Sequence, residues 1–222
     1  MKFNLLKKKE WEKSISKEII NYLIKLNKKK INLIFTGGKS VERIYGEFFK
    51  NIKKTKNFFF RIYLSDERCR VKSLKDMNST IIKKNIGTSK NTKVKFFPIV
   101  PSLKENDFEM CTKRYNKIIP KDISFAIFSV ARDGHIASIF ENDEIANFSK
   151  NKYVFVDKKF KKFPRISITW NQIKLIKKIL LICKNKEREK ALKKFSMKKN
   201  HILKKISSLG PKVEVSVLRN NF

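Results

Sequence analysis

Short apolar runs that alternate with amphipathic segments constrain this chain more than any other feature. Residues 31–36 form one such run, Gly37 and Gly38 break it, and helical spacing resumes over 40–50 through Val41, Ile44, Tyr45, Phe48 and Phe49. The order recurs along the chain. A strand is predicted over 58–64 with a helix over 76–84, then a strand over 94–97 stopped by Pro98 with a helix over 103–118. Further strands are predicted over 125–130, 153–156, 165–170, 178–183 and 213–217, and further helices over 7–27, 186–195 and 198–207. Residues 165–170 alternate Ile166 and Ile168 with Ser167 and Thr169, the pattern of a half-exposed strand. Strands separated by helices return in the same direction, and unbroken apolar strands need cover on both faces. The expectation is an α/β fold of three layers, a mostly parallel sheet with helices on both sides. No repeat, linker or shift in composition divides the chain, so residues 1–222 read as a single domain.

Composition narrows the function classes. Hydrophobic residues make up 41% of the chain, enough for a sizeable core. No apolar run reaches the roughly 18 uncharged residues of a membrane span, and the N-terminus lacks the apolar centre of a secretory signal. Cys69, Cys111 and Cys183 are odd in number and far apart, which suits reduced thiols in a cytoplasmic protein and gives no metal-ligand spacing. Lys and Arg number 54 against 20 acidic residues, a formal charge of +34. That excess is spread over nearly every predicted helix face and turn, not gathered into one stripe with interleaved aromatics. It suits attraction of a small anionic substrate better than a dedicated nucleic-acid or membrane surface.

Three predicted strands end in polar loops, and parallel strands bring such ends to one edge of the sheet, where α/β folds bind ligands. In the first loop Gly37 and Gly38 let the backbone approach a ligand, Lys39 and Ser40 add donors, and the following helix offers free amides suited to phosphate. A pair of glycines also serves as a plain turn. In the second, Asp66, Glu67 and Arg68 close an apolar strand. Arg68 offers a planar fork for an oxyanion, and an ion pair between it and one carboxylate that locks the loop is the competing reading. In the third, Asp133-Gly134-His135 follows the run 125–128 in a chain with only two histidines, as a proton-transfer pair or a polar turn. Ser138 stands near His135 without a nucleophile elbow around it, which points to capping or packing.

Taken in order, TGGKSVERIYGEF, LSDERCR followed by MNS, DGHIASIF, PRISIT and KEREKAL resemble the landmarks of the 6-phosphogluconolactonase family over roughly residues 10 to 218. The resemblance implies a Rossmann-like fold shared with glucosamine-6-phosphate deaminase and ribose-5-phosphate isomerase. It also implies hydrolysis of 6-phospho-D-glucono-1,5-lactone to 6-phosphogluconate without metal or cofactor. By the same resemblance His135 is the base that activates water, Asp133 orients it or the substrate, and Arg68 stabilises the developing negative charge. Gly37, Gly38, Lys39, Ser40, Glu67, Asn78, Arg165 and Arg188 form the substrate-binding set, with Lys186 as a less good match than Arg188. The implied partner is a phosphorylated sugar lactone, with no specific nucleic acid, no membrane, and a monomer or weak dimer.

Departures from the family pattern are local. Its first loop usually reads GGSTP, whereas here Lys39 and Val41 intervene. The usual GxGxDGH loses both leading glycines, to Ser129 and Ala131, and Glu141 replaces a proline. An amino-sugar phosphate deaminase or isomerase and a non-catalytic sugar-phosphate-binding protein are the alternative readings. The first usually continues DGHIA with an Asn-Glu-Pro segment, where this chain has Ile139-Phe140-Glu141.

Overall fold

The computed structural model describes residues 2–7, 10–52, 58–89, 93–100, 107–140, 149–157, 163–184, 201–209 and 212–219. Its centre is built from runs that are apolar at every position. Strands β6 (Phe125–Ser129) and β9 (Ile179–Cys183) are buried almost throughout. Successive side chains of a strand point to opposite faces, so burial at consecutive positions requires cover on both. With β1 (Lys2–Lys7), β2 (Lys30–Phe35), β3 (Phe59–Leu64), β5 (Val94–Phe97) and β10 (Val213–Arg219) they form a seven-stranded sheet in the order β1-β10-β9-β6-β2-β3-β5. Every pairing in it is parallel.

The helices follow from spacing. In α1 (Trp11–Lys25) the buried residues Trp11, Ile15, Ile19 and Leu23 recur every four positions, and the Trp11 indole donates to Ser216 Oγ of β10 at 3.1 Å. Helix α2 (Glu42–Ile52) buries Ile44, Tyr45, Phe48 and Phe49. Phe35 of β2 stacks on Tyr45 at 4.5 Å and meets Phe48 edge-on at 5.5 Å. Such pairs add about 0.5–1.5 kcal/mol each beyond their buried area. Helices α3 (Asn78–Ser89) and α4 (Phe108–Ile118) pack on α2 and on β7 (Tyr153–Val156) respectively. Short α5 (Trp170–Ile173) and α6 (His201–Ser208) complete the described helices.

Two expectations are corrected. Residues 66–68, read as loop, form strand β4 (Asp66–Arg68), and β7 and β8 (Arg165–Ile168) leave the main sheet to pair with it. The result is a second, antiparallel sheet in the order β4-β8-β7. Nor is β8 half-exposed, because Ser167 and Thr169 are buried with their hydroxyls satisfied by the carbonyls of Ile168 and Asn151. The helix predicted over 7–27 spans Trp11–Lys25, and Lys7 instead ends strand β1. The helix expected over 186–195 lies outside the described residues.

Ser65 joins the two sheets: its N–H donates to Phe35 O at 2.9 Å, and its C=O accepts from Ile168 N at 2.8 Å. Two buried tyrosines fix the neighbouring Leu64, whose N–H donates to Tyr115 Oη at 2.8 Å and whose C=O accepts from Tyr153 Oη at 2.5 Å. The small sheet is thereby held against the carboxyl end of β3. From β2 the chain lays β3 and β5 to one side and β6, β9 and β10 to the other, so the strand order reverses between β2 and β6. Ligands of open α/β sheets bind at the carboxyl edge of that crevice.

Candidate active site

The loop after β2 enters this crevice under tight steric control. A Cβ on Gly37 would lie 2.3 Å from both Cβ and Cγ of Asn78, so only glycine fits, and Gly38 adopts φ +104°. Ser40, nearly buried, shares a hydrogen bond of 2.8 Å with Ser129 Oγ at the end of β6, while Lys39 is exposed.

Asn78 meets Gly37 because Glu67 holds it there. The Glu67 carboxylate is fully buried and accepts from the backbone amides of Asn78 at 2.6 Å, Ser79 at 2.8 Å and Arg68 at 2.8 Å. It satisfies the first amides of α3, which otherwise have no partner within the helix. Burial pushes its pKa up, and the three amides pull it back only in part. Glu67 was expected to bind substrate; with both oxygens committed to backbone, its place is to position α3. Asn78 Nδ2 also donates to Asp66 O at 2.9 Å, closing the link between the first two loops.

Asp66 ties in the third. Its nearly inaccessible carboxylate accepts from Ser65 Oγ at 2.8 Å, from Ser138 Oγ at 2.6 Å and from Arg165 Nη1 at 3.4 Å. The competing reading, an ion pair between Arg68 and a loop carboxylate, is not met among the described residues. Asp66 meets Arg165, and Arg68 Nη1 donates to the Asp76 carbonyl at 2.8 Å. Asp66 carries more structural weight than its motif suggests, whereas Ser138, read as capping or packing, is buried and bonded to Asp66 and Ser167.

Arg68 and Arg165 stand directly opposite each other in the β4–β8 ladder. Like charges at opposed positions repel. Both Nε–H groups are buried with no hydrogen-bond partner among the described residues. A buried charged donor without an acceptor costs more than about 1–3 kcal/mol. An anionic group of a ligand at either Nε–H would remove the penalty there.

The loop that carries Asp133 and His135 is compact. Ala131 N donates to His135 O at 2.9 Å and Gly134 N to Ala131 O at 3.1 Å, with Gly134 at φ +88°. Ala137 sits at φ +50°, a strained conformation for a residue with a side chain, and the Ser138 bonds to Asp66 and Ser167 fix the next residue. His135 Nδ1 lies 2.5 Å from Asp133 Oδ1, and the imidazole packs on Phe140 at 4.6 Å. An ionised Asp133 favours the tautomer with the ring proton on Nδ1 and the lone pair on Nε2. The described contacts thus link Gly37, Asn78, Glu67, Arg68, Asp66 and Arg165, and separately pair Asp133 with His135, while Lys39 is exposed. Arg188, with Lys186 and Glu141, lies outside the described residues. No group of three metal-ligating side chains occurs among the described residues, and no described helix is long and apolar enough to cross a membrane.

Comparison with known proteins agrees with this architecture. Among curated proteins none matches the chain in sequence. Among solved structures, a 6-phosphogluconolactonase from Thermotoga maritima is similar with a TM-score of 0.80 at 21% identity, covering 98% of each chain. One from Plasmodium vivax has a TM-score of 0.78 at 18% identity, covering 99% of this chain and 90% of its own. A monomeric glucosamine-6-phosphate deaminase has a TM-score of 0.73 at 17% identity, covering 99% and 98%. At such identities the likeness establishes the fold. The family model described as glucosamine-6-phosphate isomerases/6-phosphogluconolactonase matches residues 7–206, and the chain belongs to that family.

Proposed function

We propose that the protein hydrolyses 6-phospho-D-glucono-1,5-lactone to 6-phosphogluconate, with water activated by His135. The observation that carries this reading is the opposed pair Arg68 and Arg165, each with a buried Nε–H lacking an acceptor. Through Asp66 and Ser138 that pair is tied to the loop bearing Asp133 and His135.

Nε2 of His135 takes a proton from water while the water oxygen bonds to the lactone carbonyl carbon. The carbonyl electron pair moves onto oxygen, and the Arg68 guanidinium stabilises the resulting oxyanion. Collapse breaks the bond to the ring oxygen, which leaves with the proton that Nε2 carries. No covalent enzyme intermediate is needed. A positioned base contributes about 10²–10⁴-fold and an oxyanion donor about 10²–10³-fold. Arg165 and the Gly37–Ser40 loop, which precedes the N-terminus of α2, hold the phosphate.

The test is lactone disappearance at near-neutral pH, corrected for spontaneous hydrolysis, beside ammonia release from glucosamine 6-phosphate. Lactone turnover without ammonia supports the reading. Ammonia release without lactone turnover would transfer the site to the deaminase branch of the family.

A further inference from the structure

His135 and Phe140 meet because the chain turns back between them. Ile136 and Ile139 form an antiparallel bridge, and the Ile139 N–H donates to Ile136 O at 3.0 Å. Continuing that register by one residue sets His135 beside Phe140, as cross-strand neighbours whose side chains interact. The turn is held from outside as well as from within. Both isoleucines are fully buried, Ala137 takes φ +50°, and Ser138 at the tip is bonded to Asp66 and Ser167. Strained backbone persists where its surroundings over-determine it, and here the product is an imidazole set against a phenyl ring.

Two contacts then define the imidazole. Its Nδ1 lies 2.5 Å from Asp133 Oδ1, and its ring meets that of Phe140 with centroids 4.6 Å apart and planes inclined by 49°. Aromatic pairs prefer separations of about 4.5–7 Å. Asp133 is exposed, and a hydrogen bond to one edge atom lets a ring swing about that bond. Phe140 is nearly buried and belongs to the core, so its contact is the rigid one. A histidine side chain has three wells about χ1 and roughly two orientations about χ2, about six arrangements in all. Turning χ2 over exchanges each ring nitrogen for a carbon, which removes both the bond to Asp133 and the base.

We propose that Phe140 is a positioning residue for the base: its ring supports the His135 imidazole in the orientation that keeps Nδ1 on Asp133 and presents Nε2 to water. The inference deepens the hydrolysis reading and rests on it for the effect on rate, while the orientation of the ring is read without substrate.

The experiment compares wild type, Phe140→Leu and Phe140→Tyr as full chains. It reads nitrogen NMR of the neutral imidazoles, and KM and kcat for the lactone scaled to the folded fraction from urea unfolding. The chain has two histidines, so His201 is the internal reference. Wild-type His135 should carry its proton on Nδ1 and show a nuclear Overhauser contact with the Phe140 ring. Leucine keeps the site apolar without the flat face. In Phe140→Leu the His135 nitrogen shifts should move toward those of a free imidazole. Its kcat should fall by roughly 3–6-fold with KM unchanged, as the productive orientation becomes one of about six. Phe140→Tyr keeps the ring and should restore both. Wild-type nitrogen shifts and kcat in Phe140→Leu overturn the proposal, as does a rise in KM at constant kcat or a loss confined to stability. A wild type without the Nδ1 proton or the Phe140 contact overturns it before any variant is made. Nitrogen shifts that respond as expected, in a wild type that does not hydrolyse the lactone, defeat the hydrolysis reading and leave the orienting role of Phe140 standing.

Discussion

Gly37→Ala tests how tightly the first loop is seated against the second. The added methyl carbon falls 2.3 Å from Cβ and Cγ of Asn78 and 2.4 Å from its Oδ1, where carbon atoms pack at about 3.5–4 Å. Asn78 cannot turn aside freely, since its amide is held by Glu67 at 2.6 Å and its Nδ2 by the Asp66 carbonyl at 2.9 Å. Either the glycine loop or the start of α3 must shift by more than about 1 Å, which costs about 1–3 kcal/mol as overpacking. Breaking one of the two bonds adds about 1 kcal/mol, for a total of about 2–4 kcal/mol. Gly87→Ala is the internal control. Gly87 lies in α3 with nothing within 4 Å of its would-be Cβ, so alanine there gains roughly 0.5–1 kcal/mol of helix propensity. Urea unfolding of the three proteins should give midpoints on opposite sides of wild type at a common m-value. In a thermal scan Gly37→Ala should fall by about 4–16 °C. A Gly37→Ala midpoint within about 0.5 kcal/mol of wild type would refute the contact between the glycine loop and Asn78.

Asp66→Ala leaves Ser65, Ser138 and the largely buried Arg165 without their common acceptor, and is expected to lower stability by about 3–5 kcal/mol in denaturant titration. A loss under about 1 kcal/mol would show that this carboxylate does not tie the loops together. Burial pushes the Cys69 thiol to about 12 from an ordinary 9.0, so the fold favours its neutral form. Its contribution is complete below the unfolded value and is lost as pH climbs through the interval from 9.0 to about 12. A thiol reagent at pH 8 should accordingly label Cys69 only after unfolding, and rapid labelling of the native protein would contradict its burial. With a net charge of +34, kcat/KM for an anionic lactone should fall as salt is added, and a flat salt profile would show that the charge does not steer substrate.

Periodicity located the central strands because their physics is local. The runs at 94–97 and 153–156 coincide with β5 and β7, and those at 58–64, 125–130 and 178–183 differ from β3, β6 and β9 by single residues at their ends. The partner of each strand was not legible in the same way. Tyr153–Val156 and Arg165–Ile168 look like any other strands in sequence, and pairing with residues distant along the chain, Asp66–Arg68 among them, sets them in a separate antiparallel sheet. Ser167 departs from its predicted exposure for a related reason. Alternation with isoleucine marks it as solvent-facing, whereas its hydroxyl accepts from Ser138 N, residues distant in sequence.

In the candidate site the motif order points to His135, Asp133, Arg68 and the glycine loop, and it does not tell Asp66 from Glu67. Asp66 and Glu67 are adjacent and identically charged, yet one meets an arginine and two serines while the other caps a helix. That division depends on which face of a three-residue strand each carboxylate occupies, and no spacing rule encodes it.

The central claim is that the imidazole held by Asp133 activates the attacking water. Its most direct test is the lactone hydrolysis rate of His135→Asn beside wild type, with 6-phosphogluconate affinity measured on both. The account predicts a kcat lower by about 10²–10⁴-fold with affinity essentially retained. A variant that turns over lactone at the wild-type rate would contradict it.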